Sequence, residues 1–459
     1  MAAIAEDVAS DAGIALPPTL LARYARPVPR YTSYPTAAQF SALHEATYAR
    51  WLAAVPPGEA ISLYLHVPYC AALCWYCGCR TQATRHHRER VSAYVDLLLR
   101  EIDLVAERLG RRQPVSAIHF GGGTPNLMSQ TELGRVLGRL AGRFDVRADA
   151  ELAMEIDPRS LTAEFALALG IAGFTRISLG IQDFDPEVQA LIHREQPYAL
   201  VEQAVRWLRD AGIAGINFDL IHGLPGQTET SIRRTVALAA ALRPERIAVY
   251  GYAHLPQRQR HQRLIPADRL PDTLLRHRLR EAAHADLLDA GYLAVGMDHY
   301  ALPGDALATQ PLARNFQGYS SDRAATLIGL GASAIGQFAQ GYAQNVAATP
   351  LWREALEHGR LPVARGHALD DDDRLRRTLI ERLMCDFSAP LGALAAAAGR
   401  SADELVVDPA MLDQLIADGL AWRSGDWVGA TPRGRPLVRS LCAVFDSRTG
   451  GSTRHAPGV

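Results

Sequence analysis

The chain has 459 residues, of which 48% are hydrophobic and 21% charged, a composition typical of a globular protein with a sizeable core. The 48 basic side chains nearly balance the 49 acidic ones, and a net charge of -1 excludes the strongly basic surface of a nucleic-acid-binding protein. All basic residues are Arg, since the sequence contains no Lys, which excludes Schiff-base chemistry on Lys and the Lys-containing phosphate loop.

The N-terminal sequence and the hydropathy pattern predict where the protein resides. No stretch approaches 18 uninterrupted apolar residues, and Glu6, Asp7 and Asp11 stand where a secretory signal would be basic. We therefore expect a cytoplasmic protein with neither a membrane nor a nucleic-acid partner. In that reducing compartment, four cysteines between residues 70 and 79 favour metal or redox chemistry over disulfides.

Residues 1–60 are predicted to form an N-terminal arm. Seven prolines between residues 17 and 57 interrupt helices repeatedly, and the segment RPVPRYTSYPT at 26–36 suits an extended conformation. Arg30, Tyr31 and Tyr34 make this arm a candidate lid over a substrate. Packing of the arm for stability alone is an equally good interpretation of the sequence.

Residues 61–360 alternate short apolar runs with amphipathic stretches of helical length, which favours βα units around a parallel sheet. Strands are predicted at 62–67, 117–120, 152–156, 176–179, 215–220, 246–250 and 293–295. Helices are predicted at 88–109, 130–143, 161–171, 198–211, 228–242 and 272–290. Seven strands fit an α/β fold of the (β/α) barrel type, partly open or closed. A flat doubly wound sheet would share this local pattern.

The βα alternation stops after about residue 360. Residues 361–447 combine helical stretches with the apolar segment WRSGDWVGATPRG, a pattern that predicts a small, mostly helical domain similar to a winged helix. The segment 448–459 is rich in Gly, Ser and Pro and is predicted to be a disordered tail.

The cysteines of HVPYCAALCWYCGCR are the strongest functional signal in the chain. Cys70, Cys74 and Cys77 follow a C-x3-C-x2-C spacing just after the strand 62–67, where the active sites of barrel folds collect. Three thiolates can bind three irons of a four-iron cluster and leave the fourth iron for a ligand that is not protein. The alternative is structural zinc with Cys79 as the fourth ligand, although zinc sites usually contain two separated cysteine pairs.

Polar and glycine-rich segments follow the subsequent strands. GGGTP at 121–125 allows close approach of a ligand to the backbone. Glu155 ends the next strand, where a carboxylate is costly unless it is solvated, paired or bound to a cation, and a salt bridge to Arg159 or Arg176 would explain it without a ligand. Gln182, Arg194 and Asp219 also fall at or after strand ends. Because these segments share one predicted rim, we expect them to form a common site.

The cysteine spacing, with Tyr76 before the last cysteine, resembles the radical S-adenosylmethionine (SAM) enzymes. Nearly the whole chain resembles one family among them, the oxygen-independent coproporphyrinogen III oxidases. The segments that carry this resemblance include PRYTSYPT (29–36), SLYLHVPYCAALCWYCGC (62–79), HFGGGTP (119–125), EIDPR (155–159), LGIQDF (179–184), DLIHGLPGQT (219–228), NFQGY (315–319) and GASAI (331–335).

The resemblance implies that Cys70, Cys74 and Cys77 bind one 4Fe-4S cluster, that SAM binds to it, and that a second SAM is present. The implied SAM contacts are Tyr64, Tyr76, Gly122, Gly123, Thr124, Glu155, Gln182, Arg194, Asp219, Ala253, Phe316, Gln317 and Ile335. Cys79 and Tyr64 are implied as catalytic residues.

The resemblance also implies the reaction. A 5′-deoxyadenosyl radical would start the decarboxylation of two propionates of coproporphyrinogen III to vinyl groups, giving protoporphyrinogen IX in haem biosynthesis. A monomer that receives electrons from a flavodoxin or ferredoxin is expected. The main alternative is a haem-binding chaperone of the same family, and a haem-degrading radical SAM enzyme is a third. The PRYTSYP arm and the ending Cys77-Gly78-Cys79 favour the decarboxylase.

Overall fold

The computed structural model describes residues 16–84 and 86–448. The acidic residues near the N-terminus and the predicted tail beyond residue 448 lie outside the described residues. The described helices are α1 Pro18–Tyr24, α2 Glu45–Ala53, α3 His87–Leu109, α4 Gln130–Arg143, α5 Ala163–Ile171, α6 Pro186–Leu191, α7 Tyr198–Asp210, α8 Glu229–Ala241, α9 Thr273–Asp289, α10 Ala306–Thr309, α11 Thr349–Glu357, α12 Asp371–Asp386, α13 Leu391–Ala397, α14 Pro409–Ala417 and α15 Val438–Ala443. Within the described ranges, no helix is long and apolar enough to span a bilayer.

The strands include both long buried runs and short hairpin pieces. They are β1 Ser41–Ala42, β2 Ile61–Val67, β3 Tyr69–Cys70, β4 Gln82–Ala83, β5 Pro114–Gly122, β6 Asp145–Ile156, β7 Arg176–Gln182, β8 Gly215–His222, β9 Arg246–Gly251, β10 Leu293–Val295, β11 His299–Ala301, β12 Ala313–Asn315, β13 Gly318–Ser320, β14 Thr326–Leu330, β15 Ile335–Phe338, β16 Gly341–Asn345, β17 Val363–Ala368, β18 Ser388–Ala389, β19 Ala421–Ser424 and β20 Trp427–Ala430.

One large sheet organises the molecule, with the order β1-β17-β16-β15-β14-β2-β5-β6-β7-β8-β9-β11-β10. From β2 to β9 each strand pairs in parallel with the next strand of this series, and helices connect them. Because successive strands are added in one direction with no reversal, this part is the singly wound arrangement of a barrel rather than a doubly wound sheet. The end strands β1 and β10 are not paired with each other in the described sheet, so the barrel is open.

The six predicted strands from 62–67 to 246–250 are confirmed as parallel strands of this sheet, but the seventh has a different role. Residues Leu293–Val295 do form a strand, β10, yet it lies antiparallel beside β11 at the edge of the sheet. The seventh parallel strand is instead β14, which pairs with β2. A run of three residues carries no signal of strand direction, because direction depends on the connection and the neighbour.

The predicted helices begin and end close to their expected positions because their end signals are local. Ser129 accepts the backbone N–H of Glu132 at the start of α4, and Glu132 accepts the N–H of Ser129 in return. Gly110 ends α3 with a φ of 70°, a conformation that favours glycine. The helices cover a continuous apolar core that includes Leu63, Phe120 and Phe218.

The C-terminal part has its own apolar core and a three-stranded antiparallel sheet in the order β18-β20-β19. Residues of the arm complete that core, including Leu21, Tyr24, Tyr31 and Tyr34. Tyr31 Oη donates to Asp446 Oδ2 at 3.0 Å. The segment 16–36 therefore packs against the C-terminal part, whereas α2 packs in the core of the barrel.

Candidate functional site

A cavity of about 550 Å³ lies at the carboxyl ends of the parallel strands. Active sites of barrel folds occur at this end because the loops that follow the strands converge there. The predicted site residues that line this cavity are Cys70, Cys74, Tyr76, Cys77, Cys79, Gly122, Gly123, Thr124, Glu155, Gln182, Arg194, Asp219 and Ala253. The strand-end pattern thus brings together residues that are up to 183 positions apart in the chain.

The cysteine loop after β2 is held by hydrogen bonds to its backbone. Trp75 N–H donates to Ile192 O at 3.0 Å. On the other side, Gln262 Nε2 donates to Tyr76 O at 2.9 Å, and His261 Nε2 lies 2.7 Å from Cys77 O. Two separate segments therefore hold the backbone of the cysteine loop in place.

The residues around Cys74 fit an iron-sulfur cluster. Arg194 Nη1 lies 3.4 Å and Arg159 Nη2 3.6 Å from Cys74 Sγ, so two guanidiniums can offset the negative charge of a thiolate. Thiolates are the ligands that such clusters use, and Cys70, Cys74 and Cys77 line one cavity. In the described residues, no three His, Cys, Asp or Glu side chains converge on the position of a single metal ion.

The glycines after β5 bring the backbone close to its neighbours. Gly122 has a φ of 111°, and a Cβ atom there would lie 2.5 Å from the ring of His66. A Cβ atom on Gly123 would lie 2.6 Å from Tyr69 O. Side chains at either position would force this loop and the start of the cysteine loop apart. The glycines therefore position both loops on one side of the cavity.

Glu155 ends β6 and points toward the same loop. Glu155 Oε2 accepts the Gly122 N–H at 3.0 Å, and His119 Nε2 lies 3.3 Å from Oε1. Burial raises the pKa of Glu155, but His119 and the Gly122 N–H outweigh burial and lower it, so the side chain is a carboxylate at neutral pH. The alternative explanation of Glu155, a salt bridge to Arg159 or Arg176, is wrong: Arg159 pairs with Asp157, and Arg176 pairs with Glu151 and Asp305.

Gln182 and Asp219 occupy the next two strand ends. Gln182 has a φ of 68°, a strained conformation for a non-glycine residue, and lies where the register between β7 and β8 shifts. Asp219 accepts hydrogen bonds from Ser178 Oγ at 2.8 Å and Asn217 Nδ2 at 3.0 Å. Burial raises the pKa of Asp219, and the charge of Glu155 adds to this. The Asp219 carboxylate therefore has a defined orientation at the cavity, which Gln182 also lines.

Four predicted site residues do not line the cavity. Tyr64 Oη lies 3.0 Å from His66 Nδ1, and the Tyr64 ring stacks on His119, so Tyr64 lies behind the carboxylate of Glu155. Phe316 and Ile335 pack beside Phe40 and Tyr342 in a separate apolar cluster. Gln317 Nε2 is buried with no hydrogen-bond partner among the described residues. The roles of these four residues remain predictions.

The structure adds residues that sequence reasoning missed. His119 and Asp157 lie in segments that were singled out, so their proximity to the site could have been expected. Gln262 and His261 carry no such signal, because their contacts are with main-chain carbonyls of a loop almost 190 residues earlier.

The chain matches two family models. Residues 64–239 match the Radical SAM superfamily, and residues 369–437 match the HemN C-terminal domain. The first match covers β2 to α8, including the cysteine loop, and the second covers most of the C-terminal part described above.

Relatives of known name are similar over almost the whole chain. The oxygen-independent coproporphyrinogen III oxidase of Bradyrhizobium diazoefficiens is 47% identical over 92% of this chain and 94% of its own length. That of Paracoccus denitrificans is 43% identical over 94% of this chain and 96% of its own. The solved structure of coproporphyrinogen III oxidase (HemN) from Escherichia coli, a radical SAM enzyme, superposes with a TM-score of 0.87 at 36% identity, covering 91% of this chain and 97% of that one.

Proposed function

The chain belongs to the family of oxygen-independent coproporphyrinogen III oxidases, and we propose that it converts coproporphyrinogen III to protoporphyrinogen IX by oxidative decarboxylation of two propionates. The observation that carries this proposal is the convergence of the cysteine loop, the Gly122-Gly123 backbone and Glu155 on one cavity. The names of the relatives favour this reaction over the haem-binding chaperone.

To become a vinyl group, each propionate must lose one hydrogen atom to a radical, one carbon dioxide, and one electron to an electron acceptor. Removal of hydrogen from an unactivated C–H bond is beyond a side-chain base, and a 4Fe-4S cluster with SAM supplies, once reduced, a carbon radical that can do it. The contribution of the chain is to bind, orient and shield the reactants.

We assign the binding roles as follows. Cys70, Cys74 and Cys77 would hold the cluster, with Arg159 and Arg194 offsetting the charge of Cys74. Glu155, oriented by His119 and Gly122, would accept hydrogen bonds from the cationic amino group of SAM. Cys79, whose side chain lines the same cavity, would act as a catalytic residue toward the substrate.

A second SAM and the electron donor are further parts of the proposal. Some of the residues assigned to the second SAM line the cavity, and others belong to the apolar group of side chains that contains Phe316 and Ile335. A flavodoxin or ferredoxin would deliver electrons to a cytoplasmic monomer. Equilibrium dialysis against labelled SAM distinguishes one bound molecule per cluster from two.

The reaction itself is tested by reconstituting the cluster anaerobically and supplying SAM, a low-potential reductant and coproporphyrinogen III. We expect carbon dioxide and protoporphyrinogen IX in a ratio of two to one, with no requirement for oxygen. Haem supplied under the same conditions should remain intact. Tight haem binding without release of carbon dioxide from coproporphyrinogen would favour the chaperone instead.

A further inference from the structure

A group of four arginines adjoins the cavity at the end of β9, where the arm, α9 and the C-terminal part meet. Arg30 belongs to the arm, Arg276 to α9, Arg314 to β12 and Arg439 to α15. Arg314 Nη2 donates to Arg30 O at 3.3 Å, and Arg30 and Arg276 both lie against Gly251. Arg439 is close enough for the charges of the other three to act on it. We call this group the arginine cluster.

Arg30 and Arg276 meet at Gly251, a residue that lines the cavity. Arg30 lines the cavity, and its Nη2 donates to Gly251 O at 3.0 Å. Arg276 lies directly against the same residue, since a Cβ atom on Gly251 would be 2.8 Å from Arg276 Nη2. The absence of a side chain at position 251, which also lines the cavity, thus leaves room for a second guanidinium.

The charge of Arg276 is not compensated within the described residues. Its Nε is buried without a hydrogen-bond partner, and Arg276 takes part in none of the ion pairs between described side chains. Burial and the nearby charge of Arg30 lower the pKa of Arg276 to about 10. Arg276 is half-buried, and even partial burial of a cation without an anion is unfavourable, so an anionic ligand would stabilise this arrangement.

The remaining charges of the group do not remove the imbalance. Asp298 is a carboxylate whose charge acts on Arg30, Arg314 and Arg439, and its Oδ1 already lies 2.7 Å from His299 Nδ1. Arg314 donates through Nε to Tyr31 O and through Nη2 to Arg30 O, so it orders the arm. Arg276 therefore keeps a positive charge without an ion-pair partner among the described residues, next to Gly251 of a cavity that can admit an anion.

We propose that Arg30 and Arg276 bind a carboxylate of the substrate, and that this carboxylate is a propionate other than the one being decarboxylated. The inference rests on the proposed function. A guanidinium clamp on the reacting carboxylate would stabilise the ground state and oppose loss of carbon dioxide, whereas a clamp on another propionate fixes orientation. The location of the two arginines also fits a propionate that does not react. The cysteine loop follows β2, whereas the arginines lie at the end of β9, five strands away from β2 in the sheet.

The experiment compares four variants of the cluster-loaded enzyme under anaerobic conditions. They are Arg276→Gln, Arg276→Lys, Arg30→Gln and the control Arg206→Gln, which removes an exposed arginine of α7 that pairs with Glu202. The affinity for coproporphyrin III, a fluorescent tetracarboxylate, is measured by fluorescence titration. SAM binding, iron content and the thermal unfolding midpoint without porphyrin are measured on the same samples.

Arg276→Gln and Arg30→Gln are expected to weaken coproporphyrin III binding roughly 10-fold or more, as for loss of a charged hydrogen bond, and to raise KM similarly. Arg276→Lys should recover part of the loss because it keeps the charge without the planar fork. SAM binding and iron content should match the wild type. The midpoint of Arg276→Gln should be unchanged or higher, because an uncompensated charge is removed.

Porphyrin affinity equal to that of Arg206→Gln in both glutamine variants would overturn the carboxylate site. Weaker SAM binding with unchanged porphyrin affinity would overturn it as well, since the arginines would then serve the cofactor. A lower thermal unfolding midpoint for Arg276→Gln would indicate a structural role for Arg276. The porphyrin affinity of Arg30→Gln, which changes an exposed residue of the arm, would then decide whether the carboxylate site exists. If the wild type forms protoporphyrinogen and the variants bind coproporphyrin III normally, only this inference is refuted. If the wild type neither binds nor converts the substrate, the proposed function is refuted as well.

Discussion

The two ends of the cavity differ in whether their charged side chains have partners of opposite charge. At the cysteine end, Glu155 is bonded by Gly122 N–H and lies beside His119, and Arg159 is paired with Asp157 at 2.6 Å. At the arginine end, Arg276 has no anionic partner among the described residues. Compensated charges hold a geometry before any ligand arrives, whereas an uncompensated charge gains its partner only when the ligand binds. The first end suits a resident cofactor and the second an exchanging substrate.

The largest effect is expected from the cysteines that are assigned to the cluster. Replacing Cys70, Cys74 or Cys77 singly with Ser should abolish both the brown absorbance and product formation, because a neutral alcohol is a poor ligand for iron. Iron and sulfide analysis after anaerobic reconstitution is the measurement. Cys385→Ser, which alters a buried cysteine away from the cavity, is the matched control and should load normally. Full iron and activity in any of the three variants would remove that cysteine from the ligand set.

Cys79→Ser distinguishes an open cluster from a closed metal site. With three cysteine ligands, Cys79 is not needed for coordination, so the variant should fold, load normal iron and sulfide and bind SAM. Protoporphyrinogen formation should nevertheless fall strongly, because the thiol lines the cavity. Loss of the cluster in this variant would show that Cys79 is a ligand.

Glu155→Gln tests the cofactor end by removing one charge. The amide keeps a hydrogen-bond acceptor but not the carboxylate, so SAM affinity should fall about 10-fold or more while the cluster stays loaded. Anaerobic equilibrium dialysis measures this. Glu151→Gln is the control, since Glu151 lies on the same strand and pairs with Arg176. Equal SAM affinity in the Glu155 and Glu151 variants would indicate that Glu155 is structural.

Substitution of one arginine at each end compares their contributions to folding. Arg159→Gln should lower the free energy of unfolding by about 1–2 kcal/mol, because Asp157 loses its 2.6 Å ion pair and keeps the backbone N–H of residue 159 and the longer contact to Arg194. Arg276→Gln should cause no such loss. Denaturant unfolding of both cluster-free proteins provides the comparison, and equal destabilisation would contradict the difference between the two ends.

The Arg159 effect should also depend on pH. Burial raises the pKa of Asp157, but Arg194 and Arg159 outweigh it and hold the pKa below its usual value. The pair therefore stabilises the fold fully above the unfolded pKa of Asp, near pH 4, and the stabilisation is lost as pH falls below that. The difference between wild type and Arg159→Gln should be constant from pH 6 to 8 and shrink below about pH 4. A difference that grows toward acid pH would exclude Asp157 as the partner.

Much of the cofactor end was predictable because its signals are local. The cysteine spacing, the glycines after β5 and the carboxylate that ends β6 each follow a strand, and parallel strands bring their carboxyl ends to one rim. The partner of Glu155 was not predictable, since Arg159 and His119 were both within reach of its strand end. Side-chain direction at the rim decided between them.

The arginine end gave no comparable signal in a chain with 48 arginines. Arg30, Arg276, Arg314 and Arg439 lie in four separate elements, and no spacing relates them. Their meeting depends on how the arm and the C-terminal part pack on the barrel. That Arg276 has no ion-pair partner among the described residues becomes evident only when its neighbours are placed.

Periodicity, cap residues and strand-end motifs in the sequence were sufficient for the α/β class, the six parallel strands from β2 to β9 and the helices between them, while the family came from the resemblance of whole segments. The class, the strands and the helices depend on contacts within a few residues or on one repeated geometric unit. The three-dimensional packing settled the antiparallel direction of β10, the insertion of β14 beside β2, the open edge of the sheet and the charge imbalance at Gly251. Each of these depends on contacts between distant segments, whose pairing no local pattern encodes.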